Sequence, residues 1–127
     1  MARYYLRVLN AVLSDQTDEL VVNPSEEKVN LEHIMPQSPS AGWAHIGEAT
    51  QKAYVRRIGN LTLLDKKLNE KAGNIPFTVK KSTFSQSTIF ITKQITEYED
   101  WSPQSIEKRQ NELAAAAVTA WNAKPPS

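Results

Sequence analysis

The sequence predicts an α+β domain in which strand, loop, strand and helix follow one another, with packing helices at both ends. Three observations predict it. Residues 29–35 alternate imperfectly between apolar and polar and stop at Pro36, which has no amide hydrogen to give to a sheet ladder. Residues 60–64 form a short apolar run behind Gly59, and Asp65 can cap a helix over Lys66–Ala72 that Gly73 stops. Two stretches with helical spacing, 3–13 and Pro103–Asn122, bracket that unit.

A chain of 127 residues suits a single domain over 1–127, and 40% apolar with 23% charged residues is ordinary for a globular one. No apolar run approaches the roughly 18 residues that a membrane span needs. Met1-Ala2-Arg3-Tyr4 lacks the apolar region of a secretory signal, so a cytoplasmic protein without a membrane partner is expected. The absence of cysteine excludes disulfides and thiolate zinc sites. The net charge of +1 conceals an asymmetry: residues 52–81 hold eight basic and two acidic side chains, and are about +6. Such a local field suits a polyanion; the bland alternative is a solvated charged face.

Taken in order, 3–13 places Tyr4, Leu6, Leu9, Val12 and Leu13 in an apolar stripe. It opens without a capping signal, which points to a piece of a longer protein. Residues 14–28 read as a connection with a turn at Asn23-Pro24-Ser25 and a short strand or anchoring patch at Leu20-Val21-Val22. In 29–35, Val29, Leu31 and His33 fall on one face of a strand, and Asn30, Glu32 and Ile34 on the other. After a loop at 38–42, residues 43–57 predict a short helix with Ala44, Ile46, Ala49, Ala53 and Tyr54 inward. Residues 74–77 lead away from the strand–strand–helix unit. Residues 88–98 mix β-branched residues with the helical spacing of Ile91, Ile95 and Tyr98, and a helix capped by Ser87 is the better fit. Ser102-Pro103 is a clear start for the last helix, lined by Ile106, Leu113, Ala117 and Trp121. A frayed tail, 124–127, follows.

The chemistry-bearing residues gather around Leu31-Glu32-His33-Ile34-Met35-Pro36. Asn60 follows His33 by 27 residues, and Asn69 follows Asn60 by nine. A neutral imidazole can take a proton from water, and a carboxylate with an amide oxygen suits a hard cation such as Mg²⁺ or Mn²⁺ better than zinc. Each residue has a plainer reading. His33 alone would be a half-buried strand histidine, Asn60 a turn residue, and Asn69 a tolerated polar position on a helix. A regular strand also sends Glu32 and His33 to opposite sides, so both serve one site only through a bulge, a twist, or a cation at the strand edge. His45 lacks a partner at metal-ligand spacing and reads as surface, and Trp43, Trp101 and Trp121 read as packing residues.

In combination, Glu32-His33-Ile34-Met35-Pro36-Gln37, Trp43, the block from Arg57-Ile58-Gly59-Asn60 to Leu61-Thr62-Leu63-Leu64, and Leu68-Asn69 resemble the HNH, or ββα-metal, nuclease motif. With Phe77, Lys80-Lys81, Trp101, Ile106 and Arg109, nearly the whole chain resembles the C-terminal nuclease domain of GmrSD-type, type IV restriction endonucleases. The resemblance implies a ββα-metal core over about 29–73 and a metal-dependent DNA endonuclease leaving 5′-phosphate and 3′-hydroxyl ends. It implies His33 as general base, Glu32 and Asn69 as holders of one Mg²⁺ or Mn²⁺, and Asn60 as the brace of the hairpin. Many HNH enzymes carry Asp or His in place of Glu32, and His in place of Asn69. The resemblance further implies a bacterial antiphage system whose N-terminal NTPase domain senses modified DNA. Arg56, Arg57, Lys66, Lys67, Lys71, Lys80 and Lys81 are the candidate contacts to the DNA phosphates. The alternatives are a DNA-binding module without catalysis, and an interaction domain that uses the Trp121 side of its last helix.

Overall fold

Two five-residue strands, β1 (Val29–His33) and β2 (Leu61–Asp65), pair antiparallel in unbroken register from Val29 opposite Asp65 to His33 opposite Leu61. The computed structural model describes residues 2–14, 29–38, 43–72 and 75–122, without the side chains of residues 14, 70–72 and 120–122. Among these residues the strands are joined by six helices: α1 (Ala2–Ser14), α2 (Glu48–Tyr54), α3 (Lys66–Ala72), α4 (Phe77–Phe84), α5 (Phe90–Lys93) and α6 (Pro103–Asn122). Short 3₁₀ turns stand at Ile58–Asn60 and Gln94–Glu97. The fold is therefore mixed α+β. The expected turn at 23–25, the apolar patch at 20–22, the stop at Gly73 and the tail lie outside the described residues.

The sheet divides the core in two. Val29 and Leu31 of β1 join Leu61 and Leu63 of β2, Leu6 and Leu9 of α1, Ile91 and Leu113. Beyond the other face, Ile34, Met35 and Leu64 meet Trp43, Val55, Phe77, Phe84, Ile95, Trp101 and Ile106. Full burial of each such side chain contributes about 1.5–3 kcal/mol relative to exposure, so both faces of β2 are driven inward. This explains why β2 reads as an apolar run while half-exposed β1 alternates.

Four inward assignments change. On α1, Tyr4 is exposed, and its neighbour Tyr5 packs with Leu6 and Leu9 instead. Ala44, Ala49 and Ala53 are also exposed. Helix α2 instead turns Gln51 inward, whose Nε2 donates to the carbonyls of Pro36 (3.0 Å) and Gln37 (3.2 Å). An amide that satisfies buried carbonyls behind a proline is worth more there than an alanine methyl. On α6 the buried line is Ile106, Arg109, Leu113 and Ala116, with Ala117 beside it; the Trp121 side chain lies outside the described residues.

Helix α4 is the element that sequence patterning misses. Its apolar anchors, Phe77 and Phe84, are separated by Lys80, so no continuous apolar stripe announces it. Residues 88–98 do form helix, but as one short turn, α5, continued by the 3₁₀ turn. Ser87 is not its cap: Ile89 holds that position without a side-chain cap bond, and Ser87 Oγ accepts from the Ile89 amide at 3.0 Å. The start of α6 is as expected: Ser102 Oγ accepts from the Ser105 amide, and Ser105 Oγ from the Ser102 amide, each at 3.2 Å.

Candidate active site

Asn60 sets the frame of the site. It lies in the 3₁₀ turn that leads into β2 and is wholly buried. Its Oδ1 accepts from the Met35 amide (2.8 Å) and from the Trp101 indole (2.9 Å). Its Nδ2 donates to the carbonyls of Met35 (3.0 Å) and Val55 (2.9 Å). The Ile34 amide closes on the Asn60 carbonyl at 2.9 Å. One side chain thus ties the end of β1, the end of α2 and the loop before α6 to the start of β2. Arg109 repeats the device from α6, donating through Nη1 to the carbonyls of Gly59 (2.9 Å) and Leu61 (2.6 Å). Its burial pushes its pKa down to about 10, which leaves it charged at neutral pH.

Glu32 and Asn69, far apart in sequence, meet in space. Asn69 Nδ2 donates to Glu32 Oε1 at 3.2 Å, and Asn30, two residues earlier on the same face of β1, donates to Asn69 Oδ1 at 3.4 Å. Helix α3 begins directly after β2, and this places Asn69 over the β1 face that carries Asn30 and Glu32. Glu32 Oε2 receives the Lys80 ammonium at 3.1 Å. Burial pushes the Glu32 carboxyl above its ordinary value, against the opposing pull of the Lys80 charge and hydrogen bond. Burial likewise pushes the Lys80 ammonium down, opposed by Glu32.

His33 is the last paired residue of β1 and is half-buried. No bulge interrupts the register, so alternation keeps its side chain on the opposite face from Glu32. The two side chains share a strand end, and β1 is an edge strand of a two-stranded sheet. Burial, then the positive charges of Lys80 and Arg56, push the His33 pKa below its ordinary value, which favours the neutral imidazole. Its ring makes no hydrogen bond with any described side chain.

The expected phosphate contacts divide. Arg56, Lys66 and Lys67 are exposed, and Lys81 is partly so, its ammonium 5.9 Å from the Phe77 ring centre. Arg57 is committed in part to Glu107 (3.8 Å) and lies 4.0 Å over the Tyr54 ring. The Lys71 side chain lies outside the described residues. Lys80 is a correction: it has no exposed surface and donates to Glu32 and to the carbonyls of His33 and Ile34, both at 3.0 Å, so it has no reach to a DNA phosphate. A basic dipeptide gives no signal that one of its two lysines turns inward. Its position between Phe77 and Phe84 was the available hint. His45 is exposed, stacked 6.1 Å from Trp43. Trp43 and Trp101 are core residues, as expected.

Among the described residues, no three His, Cys, Asp or Glu side chains gather as a metal cage. The Glu32 and Asn69 pair still fits a cation that keeps much of its water, as Mg²⁺ does. Half a turn of the Asn69 amide presents Oδ1 beside Glu32 Oε1, giving one carboxylate and one amide oxygen. No curated protein matches the chain. Residues 1–116 match the family described as GmrSD restriction endonucleases, C-terminal domain, and the chain belongs to that family.

Proposed function

We propose that this domain is an HNH endonuclease: a metal-dependent phosphodiester hydrolase that nicks or cleaves DNA. The observation that carries the proposal is the meeting of Glu32 and Asn69 at 3.2 Å at the end of β1 that also carries the half-buried His33. Residues β1, β2 and α3 then constitute a ββα-metal unit within one domain. Glu32 Oε1 and Asn69 Oδ1 would hold one Mg²⁺ or Mn²⁺, which supplies a more acidic water and charge stabilisation at the phosphate. His33 accepts a proton from the attacking water on a ring nitrogen. The water oxygen bonds to phosphorus, the bond to the 3′ oxygen breaks, that oxygen takes a proton from solvent, and the products are 5′-phosphate and 3′-hydroxyl ends. Asn60 and Lys80 hold the end of β1 in place. Arg56, Lys66, Lys67 and Lys81 receive neighbouring phosphates and contribute little sequence preference.

The domain acts in this proposal as the cutting module of a modification-sensing antiphage restriction system in the bacterial cytoplasm, alongside an N-terminal NTPase sensor. The test is plasmid nicking by wild type and His33→Ala with Mg²⁺, Mn²⁺ or EDTA. Cutting that EDTA stops and that a folded His33→Ala lacks supports the proposal. A His33→Ala protein that cuts as well as wild type refutes it. One observation favours the second reading, a DNA-binding module without catalysis: Glu32 is already paired with Lys80. That reading requires binding without cutting under every metal.

A further inference from the structure

Lys80 is the residue whose placement the fold alone does not explain. Its ammonium has no exposed surface and uses its three hydrogens on Glu32 Oε2, the His33 carbonyl and the Ile34 carbonyl. Lysine is rarely buried so completely, and replacing a buried ion pair by apolar side chains is often neutral or stabilising. Holding the His33 and Ile34 carbonyls accounts for a donor at this point, but not by itself for a positive charge placed on the Glu32 carboxylate. The charge sits on the same carboxylate that would receive the cation. Glu32 and Lys80 cancel, Asn30 and Asn69 are neutral, and Arg56 adds a further positive charge near His33.

We propose that Lys80 is a positioning residue that makes cation binding by Glu32 and Asn69 conditional on a DNA phosphate; this rests on the metal-dependent reading above. With Lys80 in place the seat carries no net negative charge, and a dication meets an ammonium across a shared carboxylate in a poorly screened environment. A phosphate restores the missing negative charge. The cation then binds more tightly with DNA, and by linkage DNA binds more tightly with the cation by the same factor. The same ammonium fixes the carbonyls at the end of β1, so the charge control and the placement of His33 are one contact set. A cutting module built this way stays without its cation until a backbone is present.

The experiment is Mn²⁺ titration by calorimetry, with and without a short DNA duplex, in a His33→Ala background that leaves the duplex intact. Folding of each variant is checked by circular dichroism. The expected result is Mn²⁺ affinity roughly tenfold or more higher with DNA than without it, within the usual span of coupled sites. Lys80→Met in the same background should bind Mn²⁺ about tenfold more tightly in the absence of DNA, and gain much less when DNA is added. A folded Lys80→Met protein with unchanged or weaker Mn²⁺ binding overturns the proposal and leaves the metal site standing. If Lys80→Met does not fold, the Lys80-containing protein still decides: equal Mn²⁺ affinity with and without DNA overturns the proposal. Absence of Mn²⁺ binding in every state overturns the metal-dependent reading itself, and the proposal with it.

Discussion

At the scale of single residues, buried polar groups do the locating. Asn60 makes four hydrogen bonds to three separate segments, and alanine would leave Met35 and Trp101 without an acceptor and Met35 and Val55 without a donor. Each stranded group costs about 1–3 kcal/mol, so Asn60→Ala should lose about 3 kcal/mol or more in a urea titration. Tyr98 offers a test remote from the site. Burial first, then the charge and hydrogen bond of Glu112, push its hydroxyl up to about 12. The neutral phenol is thus favoured in the folded state, and its contribution is complete below pH of about 10 and lost as pH rises towards about 12. Tyr98→Phe should flatten the fall in stability over that window, measured as melting temperature against pH. An unchanged alkaline slope would show that other groups set it.

At the scale of elements, the critical contact is between the turn before β2 and helix α6. Gly59 lies so near α6 that an added Cβ would stand 2.2 Å from the Ile106 carbonyl and 2.9 Å from the Gln110 Cβ. Backbone is in the way, so α6 and the turn must separate. Gly59→Ala should cost about 1–3 kcal/mol, the range for overpacking, and should loosen the Arg109 bonds that flank Asn60. Cutting activity should fall with it, because the strand end that carries His33 is held through Asn60. The cap of α6 is a milder lever. Ser102→Ala removes the acceptor of the Ser105 amide and should cost about 1 kcal/mol in the same unfolding measurement.

At the scale of the whole molecule, charge distribution is what the proposed DNA binding would draw on. The chain is nearly neutral, yet residues 52–81 hold most of the positive excess, and Arg56, Lys66 and Lys67 present it at the surface. Lys66→Glu with Lys67→Glu should weaken DNA binding across sequences alike, and reduce the slope of log affinity against log salt by about one per lost contact. Unchanged binding would place the interface elsewhere. The same substitutions should leave stability nearly unaltered, since both residues are exposed. No described helix is long and apolar enough to cross a membrane. The two apolar clusters on either side of the sheet put the strand end at the junction of β1, α3 and α4.

The amino-acid pattern by itself determined both strands, the first and last helices and the helix after β2, and it singled out Glu32, His33, Asn60 and Asn69 as candidates. These are local signals: periodicity, proline and glycine punctuation, caps, and rare residue types at recurrent spacing. The assignment of Asn60 as a brace was legible too, although its partners Trp101 and Val55 were not. Tertiary structure alone decided that Tyr5 turns inward in place of Tyr4, that Gln51 is buried, that α4 is a helix, and that Lys80 leaves the phosphate-facing set. For Gln51 and Lys80 the physical reason is shared. A polar or charged side chain goes inside only when a specific partner awaits it, and the partner of Lys80 stands 48 residues earlier in the chain, on β1.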